Sequence, residues 1–398
     1  MPARVFAPSD LPRARAGRVH VGGRVLACEP GRLVLADAFA RLTATGAALD
    51  ANPGDLVVLS GRLSRGVLTK AQLEERRAQP EPRGDGMTSR FTFGGTGEKL
   101  RARARILSEI RAFFAEQGFV EVETPVRVPA PGVDAHVDAI ESAGQFLITS
   151  PELALKRLLV GGMPRVFELA RVLRADEQGT LHEPEFRLLE WYRAFAGYEA
   201  VIADTERLVA RVARRMRGRA ELVTPEGRKL DARPPFPRLS VREAFRRFAG
   251  ERDAAALAAA DGARFFELLV GRVEPALAAF EKPVFLVDYP LTQAALARPS
   301  PSDASVAERF ELYAGGVELS NGYGELTDPV EQARRFRAEK LARKAAGRPT
   351  YPTDARFLAA LREGMPAASG NALGVDRLVM LATGAKSIAE VSAFPAGV

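Results

Sequence analysis

The stretch FELARVLRADEQGTLHEPEFRLLEWY, residues 167–192, carries the strongest structural signal in this 398-residue chain. Apolar residues flank a polar loop that contains Gly179 and Pro184, a pattern that predicts a long antiparallel hairpin. Arg174 lies near the end of the first predicted arm and Glu190 at the end of the second. Both side chains could therefore face one pocket, the first to bind an anion and the second to bind an ammonium group.

The composition indicates a globular protein with a large core, since 46% of the residues are hydrophobic and 27% are charged. We expect no membrane span, because no run of about 18 apolar residues occurs. The N-terminus lacks the apolar core of a signal peptide. A single cysteine, Cys28, excludes an intrachain disulfide and fits a reducing compartment, so a cytoplasmic location is expected.

The net charge of +7 is compatible with an acidic partner such as tRNA. Of the 57 basic residues, however, eight are lysines and the rest arginines, as expected of an arginine-rich proteome. Charge by itself therefore does not identify a partner.

Residues 1–76 are predicted to form a small all-β, OB-like module. Candidate strands cover residues 18–28, 32–37, 41–45, 55–63 and 67–74. Phe39 is the only aromatic residue in 17–76, so a structural barrel and a reader of single-stranded RNA both remain open. Proline and glycine predict a flexible linker at 77–97, and an α+β catalytic domain follows at 98–398.

This catalytic domain is predicted to begin with a helix at 100–117, capped by Gly118, and a strand at 119–125. Asp328 and Pro329 predict the start of another helix, which ends at Gly347.

The sequence Ser150-Pro151-Glu152 precedes an apolar helical pattern. Glu152 could hold a substrate ammonium, whereas the alternative is that Ser150 and Glu152 simply cap the helix, with Pro151 at its first position.

Glu311 and Glu318 lie seven residues apart, across Gly315 and Gly316. A two-strand hairpin would place the carboxylates side by side, which suits Mg²⁺ bound together with phosphate oxygens. Asn321, Tyr323 and Glu325 alternate and are predicted to share one face of a strand, as the wall of a binding site.

The segment from Gly370 to Leu381 reads as a strand that leads into an apolar helix. Arg377 in the first turn of that helix opposes the helix dipole, which indicates a second role such as binding a γ-phosphate.

Residues 101–125, 167–192 and 370–384 resemble motifs 1, 2 and 3 of the class II aminoacyl-tRNA synthetases, across about residues 98–398. The segments 149–152, 182–192 and 318–325 resemble the lysine-activating branch of that superfamily. The resemblance implies an antiparallel sheet flanked by helices, ATP and Mg²⁺ as cofactors, and a homodimer built by motif 1. It also implies a ligase that forms an aminoacyl-adenylate.

Within this branch the chain is most similar to the EF-P–(R)-β-lysine ligases, which attach lysine or (R)-β-lysine to a lysine of elongation factor P (EF-P). The short aromatic-poor barrel and Ala372, where lysyl-tRNA synthetases usually have glycine, favour this group. Charging of tRNA(Lys) as a lysyl-tRNA synthetase is the alternative, and a catalytically silent synthetase-like regulator is a third. The sequence does not separate lysine from (R)-β-lysine.

The resemblance also assigns site residues one by one. Substrate contacts fall on Ser150, Pro151, Glu152, Glu190, Tyr192, Glu318, Asn321, Tyr323, Glu325 and Ala372. Nucleotide contacts fall on Arg174, Ala175, Asp176, His182, Glu183, Phe186, Glu311, Leu312, Gly374 and Arg377. Arg174, Arg377, Glu311 and Glu318 are the expected catalytic residues, and Glu311 and Glu318 the expected metal ligands.

Four positions depart from the family pattern. Ala175 stands where the family usually has asparagine, and Asp176 where it usually has glutamate. Glu183 replaces a usual asparagine and Tyr323 a usual phenylalanine.

Overall fold

A computed structural model of the protein describes residues 4–14, 17–80, 86–132 and 137–396. The chain forms two compact units, Met1–Arg103 and Ala104–Gly397. The division of the chain into functional domains remains a prediction.

The first unit is a closed β-barrel. Its described strands are β1 (Val5–Phe6), β2 (Gly17–Glu29), β3 (Arg32–Ala36), β4 (Arg41–Thr45), β5 (Leu56–Ser64) and β6 (Val67–Arg77). They follow the order β1-β2-β3-β4-β6-β5, and a further pairing of β2 with β5 closes the sheet. The barrel confirms the expected OB-like fold, and each of its five longer strands lies within three residues of the predicted bounds.

Side chains alternate along the barrel strands, and those that point inward fill the interior. In β3, Leu33 and Leu35 are fully buried, and Leu59 of β5 and Leu68 of β6 join the same core. Gly46 allows a close approach of two chain segments, because a Cβ there would lie 2.1 Å from the main-chain oxygen of Ala71.

The segment 77–97, predicted as a linker, contains some regular structure. Strand β6 continues to Arg77, a π-helical turn covers Ser89–Phe93, and the first long helix begins at Thr96. Residues 81–85 of this segment lie outside the described residues.

The elements that follow, in chain order, begin with α1 (Thr96–Glu116), β7 (Val120–Glu121), β8 (Arg127–Val128), β9 (Glu141–Ser142), β10 (Gln145–Leu147), α2 (Glu152–Val160), β11 (Arg165–Leu173), β12 (Glu185–Ala194) and α3 (Tyr198–Arg217). The middle part contains β13 (Glu221–Val223), β14 (Lys229–Asp231), β15 (Arg238–Ser240), α4 (Val241–Ala244), α5 (Ala254–Ala260), α6 (Gly262–Leu268) and α7 (Glu274–Leu277). The last part contains β16 (Val284–Pro290), β17 (Val306–Ala314), β18 (Val317–Gly324), α8 (Pro329–Ala345), α9 (Ala355–Gly364), β19 (Ala368–Gly374) and α10 (Val375–Thr383).

A largely antiparallel sheet organises the second unit. Its described strands have the order β15-β16-β17-β18-β19-β12-β11-β7. One face packs against α1, α3 and α10, where the Phe114 ring stacks on Phe167 at 4.7 Å and Trp191 is fully buried. Because strand residues alternate between faces, the neighbours of Trp191 on β12 point to the opposite face. The mixed fold confirms the α+β prediction.

The hairpin of β11 and β12 confirms the prediction made from residues 167–192. Arg174 follows the last residue of β11, as expected. Glu190 is not at the end of its arm, because β12 continues to Ala194, which still pairs with Ala368. The pairing with β19 therefore extends the strand beyond the length that its sequence indicates.

Two predicted helices are present and one predicted strand is shorter than expected. Helix α1 starts four residues before the predicted position, and α8 begins where Asp328 accepts hydrogen bonds from the main-chain nitrogens of Val330 and Glu331. In the segment 119–125, the strand is limited to Val120–Glu121. Among the described residues, no helix is both long enough and apolar enough to span a bilayer.

Candidate active site

The sheet face opposite α1 and α3 forms one wall of a cavity of about 530 Å³. Strand register explains how distant parts of the sequence meet there. Glu190 of β12 lies opposite Ala372 of β19, and Ala372 lies opposite Asn321 of β18. One row across three strands therefore joins residues 190, 372 and 321.

Most of the residues predicted for the site line this cavity. They are Ser150, Glu152, Arg174, His182, Glu183, Phe186, Glu190, Tyr192, Glu311, Glu318, Asn321, Tyr323, Ala372, Gly374 and Arg377. The alternation of β12 accounts for part of this set, because Phe186, Glu190 and Tyr192 are all even-numbered residues of one strand.

Glu190 is the most buried acid that lines the cavity. Glu190 is 1% exposed. Its carboxylate accepts hydrogen bonds from Ser150 Oγ at 2.6 Å and from the Tyr192 hydroxyl at 3.0 Å. Burial, reinforced by the nearby Glu152 carboxylate, raises the pKa of Glu190 to about 8. Among the described residues, no cationic side chain forms an ion pair with it.

Ser150 contacts both the start of α2 and the cavity wall. Its hydroxyl oxygen accepts a hydrogen bond from the main-chain nitrogen of Glu152 at 3.0 Å, next to Pro151, which is the N-cap residue of α2. The same hydroxyl donates to Glu190 and so fixes the orientation of a carboxylate in the cavity wall.

Lys156 is fully buried and was not among the residues predicted for the site. Its Nζ lies 2.5 Å from Glu152 Oε1 and 2.5 Å from Glu325 Oε2. Its carboxylate neighbours raise the pKa of Lys156 against the opposing effect of burial, so the ammonium form is retained. Glu325 as a substrate contact stays a prediction, and in this structure its carboxylate is held by the protein's own lysine.

Glu311 and Glu318 do not lie directly opposite each other. The register of β17 and β18 pairs Glu311 with Asn321 and Glu318 with Tyr313, with a bulge between Leu312 and Tyr313. The spacing predicted carboxylates side by side, but the tight turn at Gly315 and Gly316 pairs Tyr313 with Glu318, so the two carboxylates lie diagonal to one another.

The Glu311 carboxylate is surrounded by hydrogen-bond donors. Oε2 accepts from the Tyr289 hydroxyl at 2.5 Å and from the Tyr313 hydroxyl at 2.7 Å. Oε1 accepts from Arg309 Nη2 at 2.6 Å and from Asn321 Nδ2 at 3.3 Å. With both oxygens already occupied, Glu311 would have to release some of these donors in order to coordinate Mg²⁺.

Glu318 fits a divalent cation better than Glu311 does. Its side chain lines the cavity, is 41% exposed, and lies 3.7 Å from Arg377 Nη1. Desolvation and the nearby Glu311 carboxylate raise the pKa of Glu318 to about 7. A cation bound with phosphate oxygens would favour the ionised form. The described residues contain no group of three or more Asp, Glu, His or Cys side chains arranged to hold a metal ion.

Arg174 is placed to bind an anion in the cavity. Its guanidinium carbon lies 5.1 Å from the centre of the Phe186 ring. Its protein contacts are long, 3.5 Å from Nε to the Thr149 main-chain oxygen and 3.4 Å from Nη1 to Glu177. These weak contacts leave the guanidinium able to exchange them for shorter charge-assisted bonds to a phosphate.

Arg377 contacts two other chain segments. It donates to the main-chain oxygens of Glu318 at 2.8 Å and Leu181 at 3.2 Å, and its Nη2 lies 2.6 Å from His182 Nε2. Burial and the neighbouring Arg377 cation lower the pKa of His182, so the imidazole is neutral and accepts from the arginine. Arg377 therefore joins the motif-2 loop to β18 at the cavity edge.

Five residues predicted for the site are not found in the cavity wall, as far as the described residues define it: Pro151, Ala175, Asp176, Leu312 and Glu325. Leu312 is fully buried and packs into the core on the other face of the sheet. The main-chain nitrogen of Ala175 donates to the main-chain oxygen of Asp138. Asp176 has a left-handed backbone with φ of 60°.

Glu183 lines the cavity but has a protein partner. Its Oε2 accepts a hydrogen bond from the main-chain nitrogen of Ala396 at 2.8 Å. The acidic residue at this position therefore binds the C-terminal segment, a contact that the sequence did not indicate.

Arg309, Tyr289 and Tyr313 were also missed. Arg309 lies over the Tyr289 ring at 4.4 Å while it contacts Glu311. Sequence offered one signal for Arg309 and another for Lys156. Both are basic residues close in sequence to a glutamate, Arg309 beside Glu308 and Lys156 four residues after Glu152, which allows a buried ion pair.

The second unit is similar to known proteins over its whole length. Residues 94–397 match the family model described as tRNA synthetases class II (D, K and N). A protein of Azoarcus sp. (strain BH72) named lysine–tRNA ligase is 38% identical over 328 residues, which cover 77% of this chain and 64% of that protein. A lysine–tRNA ligase of Moorella thermoacetica is 39% identical over 315 residues, which cover 74% of this chain and 64% of the relative. The chain thus spans about 64% of the length of these relatives.

Proposed function

Because the chain belongs to the class II tRNA synthetases of the D, K and N group, we propose that it activates lysine or (R)-β-lysine with ATP as an aminoacyl-adenylate. The observation that carries this proposal is the buried Glu190 in the cavity wall. It has two hydroxyl donors and, among the described residues, no cation as partner. A substrate with an ammonium group remote from its carboxylate would supply the missing charge.

Adenylation at this site needs no covalent protein nucleophile. The substrate carboxylate attacks the α-phosphorus of ATP, the bond to the β-phosphate breaks, and pyrophosphate leaves. Arg174 holds the substrate carboxylate and the α-phosphate, so the two negatively charged reactants are brought together. Arg377 contacts the distal phosphate. Glu318 is the residue that would best hold Mg²⁺, and the ion would offset phosphate charge.

We propose a lysine side chain of EF-P as the acceptor of the activated group. Ala372 supports this choice, since its methyl group lies in register between Glu190 and Asn321 on the floor of the amino-acid pocket. The barrel is a second support. Phe39, the one aromatic residue in 17–76, is 43% exposed, and the guanidinium of Arg101 lies over its ring at 4.1 Å. With the guanidinium over one face, the ring has less free surface on which to stack a base.

Charging of tRNA(Lys) is the second candidate. It is favoured by the relatives, which are named lysine–tRNA ligases. In this alternative the adenylate is attacked by a ribose hydroxyl rather than by an amine. The pocket for the amino acid and ATP would be the same, so the acceptor has to be identified by experiment.

The test has two stages. Pyrophosphate exchange with ATP is measured for lysine, (R)-β-lysine and norleucine, which lacks the remote ammonium. Exchange with neither lysine nor (R)-β-lysine would contradict the adenylation proposal. Labelled substrate is then offered with EF-P or with tRNA(Lys) in separate reactions. An EF-P variant with arginine in place of its acceptor lysine serves as the control.

Label on EF-P and not on this control supports the lysine of EF-P as the acceptor. Label on tRNA(Lys) alone would contradict that proposal and identify tRNA(Lys) as the acceptor.

A further inference from the structure

We propose that Asp138 and Arg343 are positioning residues for Arg174. They form an ion pair away from the reacting atoms, and Asp138 holds the main chain at Ala175, the residue that follows Arg174. This role rests on the proposed function, in which Arg174 holds the substrate carboxylate and the α-phosphate. It adds the contacts that keep this guanidinium in place.

The guanidinium of Arg343, on helix α8, is fixed inside the protein. The side chain is fully buried. It donates to the main-chain oxygens of Pro349 at 2.7 Å and Val137 at 3.0 Å, and it forms an ion pair with Asp138. It also lies over the Tyr351 ring at 4.7 Å. Because a buried cation without its partners is costly, Arg343 is a fixed anchor for the segment that contains Asp138.

Asp138 connects this anchor to the loop that carries Arg174. Its carboxylate pairs with Arg343, and Oδ1 accepts a further hydrogen bond from the Tyr351 hydroxyl at 3.3 Å. Its main-chain oxygen accepts from the main-chain nitrogen of Ala175 at 2.8 Å. The side chain of Asp138 is thus held by α8 and the segment after it, while its main chain holds the residue next to Arg174.

The side chain of Arg174 depends on its main chain for its position. Its hydrogen bonds to the protein are 3.4 and 3.5 Å long, so they restrain the guanidinium weakly. The main chain is held on two sides, since Arg174 donates to the main-chain oxygen of Pro184 at 2.9 Å and Ala175 donates to Asp138. Loss of the Asp138 contact would therefore free one side of this short segment and displace the guanidinium.

Pyrophosphate exchange by Asp138→Ala tests this role. We expect kcat/KM for lysine to fall by about 10-fold to 50-fold, because a small displacement of a group that aligns the reactants slows the reaction strongly. Arg343→Met should give a similar loss. Asp138→Asn keeps an oxygen acceptor at this position, so it should lose less than about 5-fold.

Arg348→Ala is the matched control. Arg348 lies 3.9 Å from the other oxygen of the Asp138 carboxylate, and its side chain is 38% exposed. Exposed ion pairs of this kind contribute little, so exchange should stay within about 2-fold. A loss in Arg348→Ala as large as that in Asp138→Ala would contradict the assignment of Arg343 as the anchor.

A double-mutant cycle shows whether Asp138 acts through Arg174. In an Arg174→Ala background the guanidinium is already absent, so Asp138→Ala should lower the remaining exchange by less than about 3-fold. If Asp138→Ala cost the same factor with and without Arg174, the two residues would act independently and the inference would be wrong.

Hydrogen exchange of main-chain amides tests the link without any activity. In Asp138→Ala the amide of Ala175 should exchange at least about tenfold faster, while the amides of β12 that pair with β19 keep their rates. Unchanged protection of Ala175 would overturn the inference, and so would an equal acceleration throughout β12. Failure of lysine exchange in the unmodified protein would count against the proposed function and leave this amide result standing.

Discussion

The Tyr192 hydroxyl donates to Glu190 Oε2 at 3.0 Å, although the two residues are two apart on the same strand. Both side chains point to the cavity, and Ser150 donates to the other oxygen of Glu190. The carboxylate is therefore fixed in one orientation before any substrate binds. Preorganisation of this kind lowers the entropy cost of binding an ammonium group.

The first prediction concerns substrate binding at Glu190. In Glu190→Gln the substrate ammonium loses a buried charged partner, so kcat/KM for lysine should fall by about 10²–10³. Pyrophosphate exchange measures this change. Glu185→Gln on the same strand is the control, because Glu185 is exposed and pairs with Arg171. Equal losses in both variants would indicate a general disturbance of β12.

The second prediction concerns stability and pH. The pKa of Glu190 is raised from 4.5 to about 8 in the folded protein. Between these values the folded state binds more protons than the unfolded state, so this group lowers stability as the pH rises. Glu190→Gln removes that effect. Its Tm should exceed that of the unmodified protein by a few degrees at pH 9 and by less at pH 6.

Calorimetric or fluorescence melting curves at the two pH values would check this. A Tm difference that shrank from pH 6 to pH 9 would contradict the raised pKa.

The third prediction concerns the metal. Because the pKa of Glu318 is raised to about 7, the carboxylate is largely protonated at pH 6 and ionised at pH 8. The Mg²⁺ concentration needed for half-maximal exchange should therefore fall as the pH rises, by up to about tenfold per unit below pH 7. Glu318→Gln should lose this pH dependence along with most activity. Mg²⁺ titrations at pH 6 and 8 measure both effects, and a pH-independent requirement would argue against Glu318 as a ligand.

The fourth prediction concerns Arg174. Arg174→Ala should lower the rate of exchange by about 10²–10³, in line with the loss of one charge-stabilising donor. The fold should be retained, because the protein contacts of Arg174 are long. Arg171→Ala is a matched control from the same hairpin, since Arg171 is exposed and pairs with Glu185. Normal exchange in Arg174→Ala would remove this residue from the mechanism.

The fifth prediction concerns Gly370. A Cβ at this position would lie 2.2 Å from Tyr192 Cε1. Gly370→Ala should therefore displace Tyr192, raise the KM for lysine and destabilise the protein by about 1–3 kcal/mol. Gly197→Ala is the control, because a Cβ there meets no atom within 4 Å. Denaturant unfolding and exchange kinetics would measure the two effects.

Much of the fold follows from local patterns. The five longer barrel strands, the hairpin at 167–192 and helix α8 were all predictable. Alternation, turn residues and the Asp328 cap are properties of neighbouring residues. The position of Glu190 within β12 was not predictable, because pairing with β19 extends the strand. The same limit applies to Glu311 and Glu318, because the position of the hairpin turn pairs Glu318 with Tyr313 rather than with Glu311.

The site shows the same division. Sequence motifs indicated most residues of the cavity wall, but they also predicted substrate or nucleotide contacts for Glu325, Leu312 and Asp176, which the described cavity wall does not include. They also missed Lys156, whose partners lie 4 residues before it and 169 residues after it in the chain.

The sequence by itself determined the elements, the fold class and the acidic and basic residues available for chemistry, because these depend on local periodicity and residue type. Tertiary structure decided which charges neutralise one another, because ion pairing depends on distances across strands and helices. In this protein that decision separates Glu325, paired with Lys156, from Glu190, which has hydroxyl donors but, among the described residues, no cation as partner.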